Sequence, residues 1–324
     1  TYPSNRTKRY EHSLGTMNIT SSMFYSAVSN ASKDDTLPKL FNNLKIYSQK
    51  IIRQLIFESE GLTYRYLAEC MSVIDHVFSM DVADKTDEEI FNCVDEKISV
   101  AMKNGIFSDS ALDYFQYYFQ NMKGDNNLGE VKLREIFLYR CLLEAIRLVA
   151  LFHDVGHPPY SHIVEEVLQK LYYDENPTWD KKKFSVMKKC LEPFVDTDEN
   201  ISFQVHSILT NKAENKAPIH ERIGSKLFID ALNDVIPNKL KSIYSSLSQE
   251  NENEVFAGIL YYIIVTEFAI AIISDTNNFF QSFHTIIDGT LDADRFDYII
   301  RDSINSGVDW GRIPYKRLIN SAML

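Results

Sequence analysis

Three of the eight histidines fall within Leu151-Phe152-His153-Asp154-Val155-Gly156-His157-Pro158-Pro159-Tyr160-Ser161-His162. His153 and Asp154 offer an imidazole nitrogen and a carboxylate oxygen at adjacent positions, donor types that suit a divalent cation. They close an apolar helical stretch carrying Leu148, Val149, Leu151 and Phe152. A carboxylate at such a buried end is costly unless it is paired or metal-bound. Neighbouring helical side chains diverge by about 100°, yet at a helix end both can turn towards one ion. Taken alone, the pair has a plainer reading, in which Asp154 ends the helix and His153 is a satisfied core histidine. The surrounding residues shift the balance. His157 and His162 follow across a Gly/Pro turn, where Gly156 allows tight reversal and Pro158-Pro159 stiffen the loop. An attacking water needs an acid or base partner, and a phosphate needs a cationic donor. Two histidines on a rigid loop beside a metal can serve both needs.

Two distant segments carry related chemistry. In Leu291-Asp-Ala-Asp-Arg-Phe-Asp-Tyr-Ile-Ile-Arg-Asp302, the residues Asp294, Tyr298 and Arg301/Asp302 recur at helical spacing and are expected on one face. Such a stripe could equally be a solvated face. In Arg9-Tyr-Glu-His12-Ser-Leu-Gly-Thr16, Arg9 and His12 lie three apart on one helix face, a pattern that by itself suits a capping or surface role. His76, His206 and His284 belong to no such segment, and structural roles are expected for them.

The elements that must position these residues are helices. Glycine (11) and proline (9) are scarce, alternating strand patterns are almost absent, and an all-α fold is expected. Helices are predicted from near Arg9 through Val28, then over Leu44–Phe57, Thr63–Phe78, Asp87–Lys103 and Ser108–Met122. Further helices are predicted over Glu130–Phe152, from Tyr160 or Ser161 to Tyr173, and over His220–Val235, Glu254–Ser274 and Asp292–Ser303. Ser29–Pro38, Asp81–Asp87, Gly124–Gly129 and residues 174–219 read as breaks or loops, and the last twenty residues as mixed. With 324 residues, 45% of them apolar, the chain can bury a large core. Its formal charge of −11 argues against general nucleic-acid binding, so an anionic substrate would need a local basic pocket. Cys70, Cys93, Cys141 and Cys190 form no CxxC pair, which fits a reducing cytoplasm. No signal peptide or membrane span is read; Phe256–Ile273, interrupted by Glu267, reads as a buried core helix. The chain starts at Thr1 without a methionine and is expected to be part of something longer.

Together, "RYEHSLGT", "LFHDVGHPPYSH", "HERIGSKLF" and "LDADRFDYIIRDS" resemble the HD-domain phosphohydrolase superfamily. Within it they are most similar to the deoxynucleoside-triphosphate triphosphohydrolases, which include bacterial dGTPases and the vertebrate dNTPase with SAM and HD domains. The four segments occur in the family's order and span roughly a third of the chain, over residues 5–28, 134–172, 218–235 and 288–320. The resemblance implies a single HD-domain helical bundle over 1–324, with a helical insertion at about 33–131 and a loop-rich segment at about 174–217 bordering the pocket.

It further implies metal ligation by His12, His153, Asp154 and Asp294, a mixed N/O set compatible with Mn, Fe, Zn, Ni or Mg. His157, supported by Glu165, corresponds to the catalytic histidine, and His220 with Glu221 to a second His-Glu pair at the phosphate. Arg9 and Arg295 match phosphate-binding cations, Tyr298 and Asp302 match residues at the sugar, and His162 lies near the substrate. The implied reaction is water attack at the α-phosphorus of a dNTP, giving deoxynucleoside and triphosphate. Other HD substrates, namely phosphomonoesters, cyclic nucleotides or guanosine tetraphosphate, are the second reading, and a non-catalytic nucleotide-sensing protein is the third. A homo-oligomer is expected from the resemblance alone.

Overall fold

The computed structural model describes residues 8–31, 36–57, 69–79, 85–104, 133–157, 163–164, 219–274, 278–307 and 314–322. Of these, 84% are helical and none lies in a strand, so the fold is all-α. In chain order the helices are α1 (Arg9–Ala31), α2 (Thr36–Phe57), α3 (Met71–Val77), α4 (Asp87–Lys103), α5 (Leu133–Phe152), α6 (Ile219–Tyr244), α7 (Glu252–Ile273), α8 (Asn278–Ile287), α9 (Ala293–Ser306) and α10 (Tyr315–Ile319). The chain divides into two compact units, one of Thr1–Leu151 with Asp230–Leu324 and the other of Phe152–Ile229.

Several boundaries differ from the sequence-based expectation. The loop expected over Ser29–Pro38 is shorter, because α1 continues to Ala31 and α2 starts at Thr36. Pro38 therefore sits in the first turn of α2, where its missing N–H costs no helical hydrogen bond. Helix α6 runs past Val235 to Tyr244 and takes Pro237 inside it. Helix α4 keeps its expected bounds, Asp87–Lys103, and opens after a capping box. There Thr86 Oγ1 accepts from Glu89 N (3.3 Å) and the Glu89 carboxylate accepts from Thr86 N (2.7 Å). Helix α8 was not anticipated, since Asn278-Phe-Phe-Gln-Ser-Phe-His-Thr-Ile-Ile287 carries few strong helix formers. Of Thr63–Phe78, only Met71–Val77 is described as helix. The helices expected over Ser108–Met122 and Tyr160–Tyr173 fall outside the described residues, apart from helical Ile163 and Val164.

In the larger unit, α1 packs on α2, α8, α9 and α10, while α7 packs on α2, α4 and α8. Helix α7 is long and apolar enough to cross a membrane by length and composition, but most of its 22 residues, among them Leu260, Ile263 and Phe268, are buried inside the unit. Aromatic rings join these layers. Phe24 of α1, fully buried, stacks on Tyr139 of α5 at 5.3 Å and meets Phe283 of α8 edge-on at 6.0 Å. Tyr47 of α2 meets Phe280 at 4.6 Å, and Phe280 meets Phe268 of α7 at 5.1 Å. Such pairs add to area burial by preferred ring geometry. Replacing Phe24 with Ala should therefore remove the anchor of α1 and destabilise the chain by about 3–5 kcal/mol, read as a lowered urea midpoint with little change in slope. A loss under 1 kcal/mol would contradict this packing.

Candidate functional site

In the larger unit, α1 presents a nearly buried imidazole to α9. His12 Nδ1 lies 2.7 Å from Asp297 Oδ2 and Nε2 lies 2.8 Å from Asp294 Oδ1, so both ring nitrogens face carboxylates. Asp297 is itself gripped by Arg301 through two bonds, Nε to Oδ2 at 2.9 Å and Nη2 to Oδ1 at 2.8 Å. That fork geometry is the strong form of an Arg–carboxylate pair. The same Nη2 donates to the backbone carbonyl of Glu11 at 2.8 Å, tying α9 to the turn of α1 that carries His12. Burial alone would raise the Asp297 carboxyl, but hydrogen bonds from His12 and Arg301 outweigh it and hold the group below its ordinary value.

Two local features set this geometry. Asp292 caps α9, accepting from Arg295 N at 2.7 Å and Gly289 N at 2.8 Å, which places Asp294 in the first helical turn. Burial pushes the Asp292 carboxyl up, with the two backbone N–H bonds offsetting part of that rise. Gly15 lies where α9 presses on α1, and a Cβ there would overlap the Asp297 carboxylate and the Arg301 guanidinium. The glycine of "RYEHSLGT" is thus required by close approach.

In the smaller unit, α5 ends at Phe152 and the chain turns through residues 153–156. The turn is closed by Val155 N to Phe152 O (3.0 Å) and His157 N to Asp154 O (3.1 Å). Asp154 Oδ1 lies 3.4 Å from His153 Nε2 and 3.3 Å from His157 Nε2, so the helix end does converge the adjacent His-Asp side chains. The His157 ring stacks on that of His220 at 3.8 Å with 16° between planes. Gly156 lies within this turn. It has no positive φ, which among the described glycines belongs to Gly307. A Cβ on Gly156 would collide with the His220 carbonyl and the backbone of Gly224, so the glycine lets the turn lie directly on α6. Phe152 and Phe228 meet edge-on at 5.3 Å beneath this contact.

The structure thus joins His12 with Asp294 in one unit, and His153 with Asp154, His157 and His220 in the other. Glu221 follows His220 in the first turn of α6, where its carbonyl accepts from Ser225 Oγ at 2.8 Å. Arg9 opens α1 and is exposed. The Arg295 guanidinium leans back on its own cap, 3.4 Å from Asp292 Oδ2. Tyr298 is 43% exposed, and Asp302 is partly buried on α9. Asp294, Tyr298 and Arg301/Asp302 are the α9 residues expected on one helix face. Arg301 and Asp294 do reach α1, but the residue between them that bonds His12 is Asp297, at i+3 from Asp294. Sequence reading passed over Asp297, although its i, i+4 spacing to Arg301 and its place one turn from Asp294 were available signals. His162, Glu165 and the segment 174–217 lie outside the described residues.

The donor pairs fit a cation locally. Bonds of about 2.1 Å to one ion place neighbouring ligand atoms about 3.0–3.4 Å apart, close to the 2.8 Å and 3.4 Å seen for His12–Asp294 and His153–Asp154.

No family model and no solved structure matches the chain. Over 177 residues, 55% of its length, it is 24% identical to an uncharacterized protein of Mycoplasma genitalium, MG461. The match takes in 28% of that protein's own length.

Gly15 supplies a direct test of the α1–α9 contact. Gly15→Ala should cost about 1–3 kcal/mol by forcing Asp297 and Arg301 away from α1, despite the better helix propensity of alanine. Leu14→Ala, on the more exposed face, should stay within about 0.5 kcal/mol of the parent. Equal stability of the two variants in urea denaturation would refute the contact.

Proposed function

We propose that the chain is a metal-dependent nucleotide phosphohydrolase that splits dNTPs into deoxynucleoside and triphosphate. The observation that carries this reading is the orientation of His12. Its Nδ1 is engaged by Asp297, and its Nε2 points to Asp294. A carboxylate behind a histidine is the arrangement that fixes the tautomer and raises the basicity of a metal-ligating imidazole. The proposed donors are His12, His153, Asp154 and Asp294. When bound, a divalent cation supplies Lewis acidity towards the phosphate and lowers the pKa of a coordinated water.

The remaining roles rest on this chain's own side chains. His157, which faces Asp154 and stacks on His220, is assigned the proton handed to the departing sugar oxygen. Arg9, Arg295 and His220 are assigned to the developing phosphoryl charge. Tyr298, a 43% exposed residue, and Asp302 are assigned to the sugar. Phosphodiester or other nucleotide hydrolysis keeps the same donors with a different substrate.

One observation favours a second, non-catalytic reading. A doubly protonated His12 would satisfy both Asp294 and Asp297 without any metal, leaving a closed ionic cluster that only holds α1 to α9.

Incubation with each dNTP and Mn or Mg should release triphosphate and deoxynucleoside. Asp154→Ala should abolish both metal binding and turnover while far-UV circular dichroism stays unchanged. Asp297→Asn should weaken metal affinity by about 10–100-fold without abolishing binding. Absence of stoichiometric metal and of turnover in the parent, under every metal tried, would instead establish the closed ionic cluster.

A further inference from the structure

A cavity of about 440 Å³ opens within the larger unit between α5, α6 and α7, in the size range of small-molecule sites. None of its lining residues is assigned to phosphohydrolysis. In a chain of net charge −11, two cations, Arg140 and Lys239, line this one hollow. Glu254 is the one carboxylate among the lining residues, and its Oε1 already accepts from Asn104 Nδ2 at 2.5 Å. The other side is aromatic. Lys239 Nζ lies 5.4 Å from the centre of the Tyr262 ring, and the neighbouring Tyr261 shares a hydrogen bond with Arg140. Burial pushes the Tyr261 phenol up, so it remains neutral and able to donate.

We propose that this cavity binds a small aromatic anion, with its planar ring beside Tyr262 and its carboxylate or phosphate paired with Arg140 and Lys239. Each half of that ligand answers a distinct part of the lining. A guanidinium recognises planar or tetrahedral oxyanions through paired N–H bonds, and an ammonium adds a point charge. Phenol rings favour an offset or edge-on aromatic partner, and the lysine adds cation–π attraction. An inorganic anion alone would leave most of the volume and both rings unused. A neutral ring would make no use of the two cations.

The test needs neither the metal nor hydrolysis. The intact chain, kept in EDTA so that the proposed metal donors are empty, is titrated calorimetrically with phenyl phosphate, 4-hydroxybenzoate, inorganic phosphate and phenol. One or both aromatic anions should bind at least about tenfold more tightly than phosphate or phenol. Which of the two wins identifies the oxyanion. Lys239→Gln, at an exposed position that leaves the core untouched, should weaken the aromatic anions by about tenfold. Tyr262→Leu should weaken them while leaving any phosphate binding unchanged. The proposal is overturned if no probe binds saturably at about millimolar concentration, if phosphate binds as tightly as phenyl phosphate, or if the two variants bind like the parent.

Discussion

The contact on which the candidate chemistry of the larger unit rests is the grip of Asp297 by Arg301 and His12. A carboxylate only 8% exposed has little water to solvate it, so its charge must be met by protein donors. Arg301 supplies two of them and His12 a third. The contact fixes three things at once. It sets the rotation of α9 against α1, it leaves Gly15 as the residue that fits beneath it, and it orients the His12 ring so that Nε2 faces Asp294. The apolar contacts between these helices, through Ile19, Met23, Ala293 and Phe296, bring them together without choosing a register. The ion cluster specifies that register, since a slip of one residue would leave a buried carboxylate without donors.

The smaller unit solves a comparable problem by a different route. A buried helix, α5, must stop and release two polar side chains at its end. The stop comes from two short backbone bonds within residues 152–157. The resulting turn is pressed on α6 at Gly156, where a Cβ would collide with the His220 carbonyl and the Gly224 backbone. Because the backbones lie so close, His157 and His220 are brought to stacking distance.

This explains what could and could not be read from the sequence. The all-α class, the apolar α7 and the helix-ending His153-Asp154 were legible because breaker scarcity and apolar runs are local signals. The close approaches at Gly15 and Gly156 were not, since each depends on a partner far along the chain. Gly156 invited a turn-conformation explanation, whereas its actual constraint is contact with α6. Asp297 was missed for a related reason. Counting by fours from Asp294 leads to Tyr298, while the crossing of α9 over α1 selects the i+3 position. Pro38 and Pro237 misled the boundaries, since proline is tolerated in a first helical turn and can be accommodated within a long helix when packing on either side holds it.

The charge balance of the His12 cluster shows how the two functional readings relate. Asp297 and Arg301 cancel one another, which leaves Asp294 facing His12. With a proton on each ring nitrogen, His12 cancels Asp294 and the cluster is neutral. With Nε2 unprotonated, the cluster carries one net negative charge and presents a nitrogen lone pair beside a carboxylate oxygen. That second state is the one the proposed cation would need, and the first would exclude it from the same atoms. A proton and the proposed cation would compete for Nε2, so a cation displacing the doubly protonated form would release one proton. Nδ1 is the nitrogen that faces Asp297, so the exchange at Nε2 would not require His12 to reorient. The same fixed ring serves the structural cluster and the proposed catalytic one, and the difference between them is a single proton on Nε2.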